Sequence, residues 1–304
     1  MTRVAVTSKS FSKDLFLREQ ILKRFPDTKF NDAQIQFDRE SLIAFLQGVE
    51  RAIIALETIN EDVLSALPDL KVVSKYGVGI DKIDMQAMRR HNVHFGWTAG
   101  VNKRSVTELV LGQMIAVLRH LYASNADVKN GVWQVRKSHQ LSTQTVGIVG
   151  LGHIGQDLTK LLSVFGCRVI ACDIADRTTF AENNGITLMS LDDLLASSDI
   201  VTLHTPLDAT TRNMIDADAI AKMKRGSILI NYARGGIACQ TAVREALEKG
   251  QLAGAAFDVF NPEPPIDTAL IAHPCFYASG HIGGSSHEAI QAMGMAAIEG
   301  LTIT

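Results

Sequence analysis

Three polar residues with complementary chemistry follow predicted strands in the C-terminal half of the sequence: Arg234, Glu263 and His281. An arginine can pair with a carboxylate through its planar fork and polarise a neighbouring carbonyl group. A histidine can donate a proton to a developing alkoxide and remove it in the reverse direction, and a glutamate can orient that histidine and favour its protonated form. Because parallel strands end at one edge of a sheet, the three residues are candidates for hydride-transfer chemistry on a 2-oxo acid.

Each of the three residues has a simpler explanation when it is taken alone. Arg234 stands before two glycines and could cap a turn, Glu263 stands among three prolines and could be a solvated loop charge, and His281 could be an ordinary surface histidine, one of nine in the chain. Their order and spacing behind a glycine-rich motif favour the catalytic interpretation of all three.

The glycine-rich motif is Gly150-Leu-Gly152-His-Ile-Gly155, which matches G-x-G-x-x-G. It follows the predicted strand Thr145–Val149, and a predicted helix begins inside it. In such a motif the first glycine permits the tight turn, the second lets a pyrophosphate approach the backbone, and the third lets the helix pack on the strand. The first N–H groups of that helix are free to bind phosphates. The motif therefore predicts a dinucleotide site.

The residue at the end of the next predicted strand, Asp173, favours NAD over NADP. A carboxylate at this place accepts hydrogen bonds from the ribose hydroxyls of NAD and repels the 2′-phosphate of NADP. No cation follows directly, but Arg177 is near enough in sequence to leave use of NADP as an alternative.

Short apolar segments alternate with helical patterns along the whole chain, which predicts parallel βαβ units with strands buried on both faces. One long helix is predicted from Lys103 to Lys129. The predicted strands are Arg3–Thr7, Ala52–Leu56, Lys71–Tyr76, Val93–Trp97, Thr145–Val149, Arg168–Cys172, Ile200–Leu203, Ser227–Asn231, Ala253–Phe257 and Phe276–Ser279.

The composition limits the class of protein and its compartment. The 304 residues are 46% hydrophobic and 20% charged with a net charge of −2, which suits two globular domains and argues against nucleic acid as the main partner. The sequence contains no apolar run of about 18 residues, the length that would predict a membrane span. The N-terminus carries no export-signal pattern, and four scattered cysteines without C-x-x-C spacing fit a reducing compartment and no metal site. We therefore expect a cytoplasmic protein without a metal.

Taken together, the motifs resemble those of the NAD-dependent D-2-hydroxyacid dehydrogenases, and the chain is most similar to their phosphoglycerate dehydrogenase branch. The resemblance rests on the glycine motif, Asp173, H-T-P-L at 204–207, N-Y-A-R-G-G at 231–236, D-V-F-N-P-E-P at 258–264 and H-I-G-G at 281–284. It implies an α/β fold of two Rossmann-like domains with parallel sheets. The substrate domain would be discontinuous, formed by residues 1–99 and a C-terminal helix at 285–304, with the NAD-binding domain inserted at 100–284. It also implies a homodimer formed through the NAD-binding domain, around its long helix.

The resemblance also assigns roles to individual residues. Arg234 and Glu263 would be active-site partners and His281 the proton donor. The remaining implied cofactor contacts are Gly150, Gly152, His153, Ile154, Gly155, Asp173, Thr205, Tyr232, Ala233, Asp258, Val78 and Gly284. Lys75, Tyr76 and Gly77 would form a loop that binds the substrate together with Arg234. His204 is as well explained as a packed core histidine and is not assigned to the site.

Departures from the family pattern bear on the substrate. Phosphoglycerate dehydrogenases usually place an Arg-Ser pair after the second strand, where this chain reads Ile-Ala-Leu-Glu-Thr at 54–58. The missing cation and the acid disfavour a phosphorylated substrate, and Lys75 replaces the usual loop arginine without its bidentate fork. We therefore expect a small unphosphorylated 2-oxo or 2-hydroxy acid. Alternatives are phosphoglycerate or phosphite oxidation and, from another class, an NAD-sensing corepressor. Because the sequence stops at Thr304, we also expect no appended regulatory domain.

Overall fold

The computed structural model describes residues 3–302, which fold into two compact units. Unit 1 is formed by residues 3–102 and 284–302, and unit 2 by residues 103–283. The chain thus divides after Asn102 and after Gly283, where the predicted boundaries followed residues 99 and 284. Gly284, predicted for the NAD-binding domain, therefore lies in unit 1.

Unit 1 contains a five-stranded parallel sheet. Its strands are β1 (Val4–Val6), β2 (Lys29–Phe30), β3 (Arg51–Ile54), β4 (Val72–Lys75) and β5 (His94–Gly96), in the order β2-β1-β3-β4-β5. Its helices are α1 (Lys9–Lys13), α2 (Leu15–Arg24), α3 (Arg39–Leu46), α4 (Glu61–Ser65), α5 (Met85–Arg90) and the C-terminal α14 (His287–Gly300). The sequence patterns predict neither β2 nor α3; β2 has only two residues, too few to show a pattern.

The C-terminal helix α14 packs directly onto the end of this sheet. The Ser74 hydroxyl donates a hydrogen bond of 2.7 Å to the Ala297 carbonyl. A Cβ on Gly300 would lie 3.0 Å from the Cα of Gly96, so the backbones can approach this closely only because both residues lack a side chain. Residues distant in sequence therefore complete unit 1.

Unit 2 contains a seven-stranded parallel sheet. Its strands are β6 (Thr145–Val149), β7 (Arg168–Cys172), β8 (Thr187–Leu188), β9 (Ile200–Leu203), β10 (Ser227–Asn231), β11 (Leu252–Phe257) and β12 (Phe276–Ala278), in the order β12-β11-β10-β9-β6-β7-β8. Its helices are α6 (Lys103–Leu118), α7 (Leu121–Lys129), α8 (His153–Val164), α9 (Thr178–Asn184), α10 (Leu191–Ser197), α11 (Ala217–Lys222), α12 (Gln240–Glu248) and α13 (Thr268–Ala272), with a 3₁₀ turn at Leu141–Thr143. The order runs outward in two directions from the β6–β9 pair, which is the switch point where α/β sheets bind ligands. The predicted α/β class with parallel sheets is confirmed.

The single long helix predicted from Lys103 to Lys129 is wrong, because the structure has two helices there. The break falls between Leu118 and Leu121, where His120 has a left-handed φ of 51°. A left-handed residue cannot continue a right-handed helix. The apolar positions of α6, including Val110 and Met114, are buried in the same core as Leu158 and Leu162 of α8. The apolar stripe of α6 therefore faces the core of unit 2.

Two features of the described residues bear on membrane and metal binding. No helix within residues 3–302 is long and apolar enough to cross a membrane. The same residues hold no group of three histidine, cysteine, aspartate or glutamate side chains placed to bind a metal ion.

Candidate active site

The three candidate catalytic residues follow three adjacent strands of unit 2. In the β10–β11–β12 part of the sheet, Asn231 lies opposite Phe257 and Phe257 lies opposite Ala278, so the three strands end at the same level. The loops after β10 and β11 also touch, since a Cβ on Gly235 would collide with the Phe260 carbonyl. Arg234, Glu263 and His281 thus leave one carboxyl edge of the sheet.

Glu263 and His281 form a direct pair across 18 residues of sequence. His281 Nδ1 lies 3.0 Å from Glu263 Oε2, and Glu263 Oε1 accepts the Phe260 N–H at 3.0 Å. An ionised carboxylate can only accept hydrogen bonds, so Nδ1 carries the hydrogen of this pair and Nε2 is the atom left for proton transfer. Both side chains are exposed, at 41% for Glu263 and 51% for His281.

Asp258 fixes the backbone turn that presents His281. Its Oδ1 accepts the Ser279 hydroxyl at 2.5 Å and the Ile282 N–H at 2.9 Å, and its Oδ2 accepts the Gly283 N–H at 2.7 Å. The Asp258 carbonyl accepts the His281 N–H at 2.8 Å. His281 itself has a left-handed φ of 56°, which is costly for a residue with a Cβ and persists only where the surroundings hold it. Asp258 is predicted to hold the nicotinamide, and its carboxylate accepts three hydrogen bonds within the turn.

The turn that carries Arg234 is shaped by Asn231, a fully buried residue at the end of β10. Its Nδ2 donates to the Arg234 carbonyl at 2.9 Å, and its Oδ1 accepts the Ala233 N–H at 3.1 Å. Arg234 Nη1 donates to the Ala233 carbonyl at 2.7 Å, which bends the side chain over its own turn.

Tyr232 is predicted to hold the nicotinamide, and its side chain is part of the core of unit 2. Its ring is 5% exposed in the core of unit 2, and its hydroxyl lies 3.3 Å from Ser279 Oγ. Burial raises the pKa of Tyr232. The side chain therefore supports the turn that contains Ser279.

The glycine motif has the geometry that a dinucleotide needs. Gly150 has a φ of 96°, and a Cβ there would lie 2.8 Å from the His204 carbonyl. A Cβ on Gly155 would collide with the Gly150 carbonyl, whereas one on Gly152 would meet nothing within 4 Å. The space is thus open at the glycine that a pyrophosphate approaches. Helix α8 begins there at His153 and Ile154 with no side-chain cap on its first N–H groups, as a phosphate site requires.

Asp173 stands at the end of β7 beside this motif. Its Oδ2 accepts the Leu151 N–H at 2.7 Å and lies 3.3 Å from Arg177 Nε, and its Oδ1 accepts the Ala175 N–H at 2.8 Å. The carboxylate is 10% exposed and therefore firmly oriented. Arg177, the residue that left NADP open as an alternative, forms an ion pair with it.

Two residues directly after β9, His204 and Thr205, lie beside the switch point of the sheet. Thr205 Oγ1 is buried and has no hydrogen-bond partner among the described residues, so it suits a ligand that supplies one. His204 Nε2 lies 2.9 Å from Thr202 Oγ1, and burial lowers the pKa of His204 to about 3. A neutral, half-buried imidazole supports its interpretation as a packed histidine.

The predicted substrate loop lies in unit 1, at the carboxyl end of β4. Lys75 is 8% exposed, and its ammonium donates to the carbonyls of Ala55 and Tyr76. The Tyr76 ring is buried against Phe11 with ring centres 5.5 Å apart, so its side chain belongs to the core and not to the loop surface. Gly77 has a φ of 120°, which favours glycine there.

In the loop after β3, the Glu57 side chain folds back onto the backbone of the same loop. Glu57 Oε2 accepts the Ala55 N–H at 2.6 Å.

Gly284 lies elsewhere in unit 1, where a Cβ would lie 2.9 Å from Asn102 Nδ2.

Sequence reasoning missed Asn231 and Ser279 as supports of the two turns. Asn231 is part of the motif N-Y-A-R-G-G at 231–236, but nothing in the sequence marks it as a support of a turn. Ser279 had none, because it connects Tyr232 and Asp258 only through the folded sheet.

Comparison with known proteins places this geometry in a family. Residues 111–283 match the family described as D-isomer specific 2-hydroxyacid dehydrogenase, NAD binding domain. The chain is 37% identical over 233 residues to D-3-phosphoglycerate dehydrogenase of Bacillus subtilis, covering 76% of this chain and 44% of that protein. It is 33% identical over 268 residues to hydroxypyruvate reductase of Thermotoga maritima, covering 86% of this chain and 87% of that protein.

A solved structure, the TT0316 protein of Thermus thermophilus, superposes with a TM-score of 0.87 at 29% identity and covers 99% of this chain and 96% of its own. The chain spans about half the length of the phosphoglycerate dehydrogenases it matches. The match covers 44% of the Bacillus subtilis protein and 48% of the rat protein. The predicted cofactor, NAD, is confirmed by the matched domain. The chain belongs to the D-isomer-specific 2-hydroxyacid dehydrogenase family and contains its NAD-binding domain.

Proposed function

We propose that the protein is an NAD-dependent dehydrogenase that interconverts a small 2-oxo acid and a D-2-hydroxy acid. The observation that carries the proposal is the His281–Glu263 pair, held at 3.0 Å on the same sheet edge as Arg234. An imidazole that a carboxylate fixes through one nitrogen leaves the other nitrogen for proton transfer. The open glycine motif of the same unit supports a nicotinamide cofactor there.

The residues divide the work of reduction between them. NAD, in its reduced form, supplies the hydride. His281 Nε2 gives the proton that the developing alkoxide needs, and Glu263 holds the ring in orientation through Nδ1. Arg234 pairs with the substrate carboxylate and polarises its carbonyl group. In oxidation, His281 accepts the proton instead.

The proposed substrate is unphosphorylated. In unit 1 the Lys75 ammonium is used to bind carbonyls of its own and a neighbouring loop, and Glu57 places a carboxylate at the loop after β3. A phosphate dianion needs exposed cations and is repelled by an acid. These contacts disfavour phosphoglycerate oxidation. The alternative of phosphite oxidation is decided by a turnover assay with phosphite and NAD.

The central experiment is a turnover assay with NADH and a panel of 2-oxo acids, together with phosphoglycerate and phosphite in the oxidative direction with NAD. Turnover of at least one small 2-oxo acid supports the proposal. Tight NADH binding without turnover of any acid would instead support an NAD-sensing corepressor.

A variant pair ties the activity to the site. His281→Ala should lower kcat about 10²–10⁴-fold, the range expected for a positioned acid–base group, while NADH binding survives. His287→Gln is the matched control, because His287 is an exposed histidine whose Nε2 contacts only Gln291 in the described chain.

We also propose a homodimer. Large apolar side chains stand exposed along α7 and the segment after it in unit 2, with Trp133 and Val135 both 88% exposed and Leu121 56% exposed. Isolated monomers rarely expose so many large apolar groups within one short stretch. Sedimentation should give a dimer, and Trp133→Glu should shift it toward the monomer.

A cytoplasmic location is proposed with the enzyme. All four cysteines are free and half-buried, as expected for a protein of a reducing compartment. Fractionation of cells that produce the untagged protein tests this location.

A further inference from the structure

Helix α8 carries an acidic residue close to the end that follows the glycine motif. In its sequence, from His153 to Val164, the only acid is Asp157, four residues after the first helical residue. At 1.5 Å per residue, Asp157 lies about 6 Å along the helix axis from His153. Its side chain is only 8% exposed. A buried negative charge at this place opposes the positive end of the helix dipole, which is the feature that attracts a phosphate.

Arg104 compensates this charge from the neighbouring helix α6. Its Nε donates to Asp157 Oδ2 at 2.9 Å, and its Nη2 donates to Asp157 Oδ1 at 2.8 Å. Both carboxylate oxygens thus accept from one planar guanidinium, the two-pronged geometry in which arginine binds a carboxylate most firmly. Helices α6 and α8 contribute to the same core of unit 2, so the pair belongs to that unit alone.

We propose that Arg104 is a positioning residue for NAD: by cancelling the charge of Asp157, it preserves the positive N-terminus of α8 for the pyrophosphate. Salt screens exposed charges beyond about 8 Å at physiological ionic strength, but it screens buried charges much less. An uncompensated Asp157 would therefore repel a phosphate at the helix end. The inference concerns the affinity for the cofactor, so it goes beyond the proposed reaction and does not depend on the substrate.

Two neutral substitutions separate the effect of charge from that of the ion pair. Arg104→Gln leaves Asp157 uncompensated, and we expect the dissociation constant for NADH to rise about threefold to tenfold. Asp157→Asn removes the acid itself and should bind NADH as tightly as the parent or more tightly. The double variant carries neither charge, and its dissociation constant should return to within about twofold of the parent. A purely structural ion pair predicts weaker binding in all three variants, because each of them lacks the pair.

Titration of NADH fluorescence measures this affinity without substrate and without turnover. ADP-ribose contains the pyrophosphate but no nicotinamide, and its dissociation constant, measured by competition with NADH, should change by the same factor. Arg244→Gln is the matched control, because Arg244 of α12 in unit 2 is also paired with an acid, its Nε lying 3.4 Å from Asp267 Oδ2. This control should leave both dissociation constants within about twofold of the parent.

The outcomes distinguish the two roles of the pair. Weaker binding in Arg104→Gln that Asp157→Asn restores supports the proposal. Unchanged NADH binding in Arg104→Gln, weaker binding in the double variant, or a change for NADH without a change for ADP-ribose overturns it. If Arg104→Gln is too unstable to purify, the other two variants decide: parental or tighter binding in both supports the proposal, and a loss of affinity in either overturns it. A parent that binds NADH but reduces no acid refutes the proposed function and leaves this inference standing.

Discussion

Asp258→Asn is the substitution that tests most directly how the His281 turn is built. Asparagine has the same shape as aspartate, but one of its two terminal groups is an N–H donor. The Asp258 carboxylate accepts from three donors, Ser279 Oγ and Ile282 N on Oδ1 and Gly283 N on Oδ2. Whichever way the amide turns, its nitrogen faces at least one backbone N–H, and that buried donor loses its acceptor.

The size of the effect follows from these contacts. Leaving a buried donor unpaired costs about 1–3 kcal/mol, and the hydrogen bonds that remain lose the help of the negative charge. We expect the free energy of unfolding to fall by about 3 kcal/mol and the melting temperature by about 6–12 °C for a domain of this size. Because His281 keeps its left-handed φ only through this turn, we expect kcat to fall about 10- to 100-fold.

The assay compares kcat, NADH affinity and thermal melting with a matched variant, Asp199→Asn. Asp199 also accepts a backbone N–H, from Thr145 at 2.8 Å, and an ammonium, from Lys224 at 2.8 Å, but it precedes β9 at the opposite edge of the sheet. It should lose stability with kcat within about twofold of the parent. The dissociation constant for NADH should change less than about threefold in Asp258→Asn, because the glycine motif and Asp173 lie outside this turn. The reasoning is refuted if Asp258→Asn keeps kcat within about threefold, or if NADH binding weakens as much as kcat.

Three further substitutions test the cofactor site, the substrate arginine and the buried histidine. Asp173→Ala should weaken NAD binding and raise the kcat/KM ratio of NADP to NAD, since ribose hydrogen bonds and charge repulsion are both removed; equal use of both cofactors by the parent would contradict this. Arg234→Lys should lower kcat/KM by about 3 kcal/mol or more, because a point charge replaces a planar fork, and activity within about threefold of the parent would exclude the assigned role. Burial lowers the pKa of His204 from 6.5 to about 3, so between these values the unfolded state binds a proton that the folded state does not. The free energy of unfolding should therefore fall by about 1.4 kcal/mol per pH unit as the pH drops through this window, and urea titrations of His204→Gln should lack that part of the slope.

Much of unit 2 was predictable from local sequence. The strands Thr145–Val149, Ile200–Leu203 and Ser227–Asn231 have the predicted bounds, because buried parallel strands are short apolar runs with polar residues or glycines on either side. The glycine motif and Asp173 were predictable for a similar reason: tight turns and close backbone approach restrict the residue types that fit. The family assignment from these motifs is confirmed.

Local patterns were misleading where a residue's surroundings come from distant parts of the chain. The helical periodicity of α6 continues through His120, yet the backbone turns left-handed there and begins a second helix. Tyr76 and Tyr232 stand in loop motifs, but neighbouring strands and helices enclose their rings in two separate cores. A sequence pattern describes one segment, and burial depends on what packs against it.

The sequence alone determined which residues have the chemistry for hydride transfer, which cofactor they suit and which strands they follow. Only the tertiary structure decided how they meet. Parallel pairing of β10, β11 and β12 brings Glu263 and His281 within 3.0 Å across 18 residues, and it assigns Asp258 to the turn of His281. Such distances depend on the register and twist of neighbouring strands, which hydrogen bonds between segments set and no local pattern of residue types encodes.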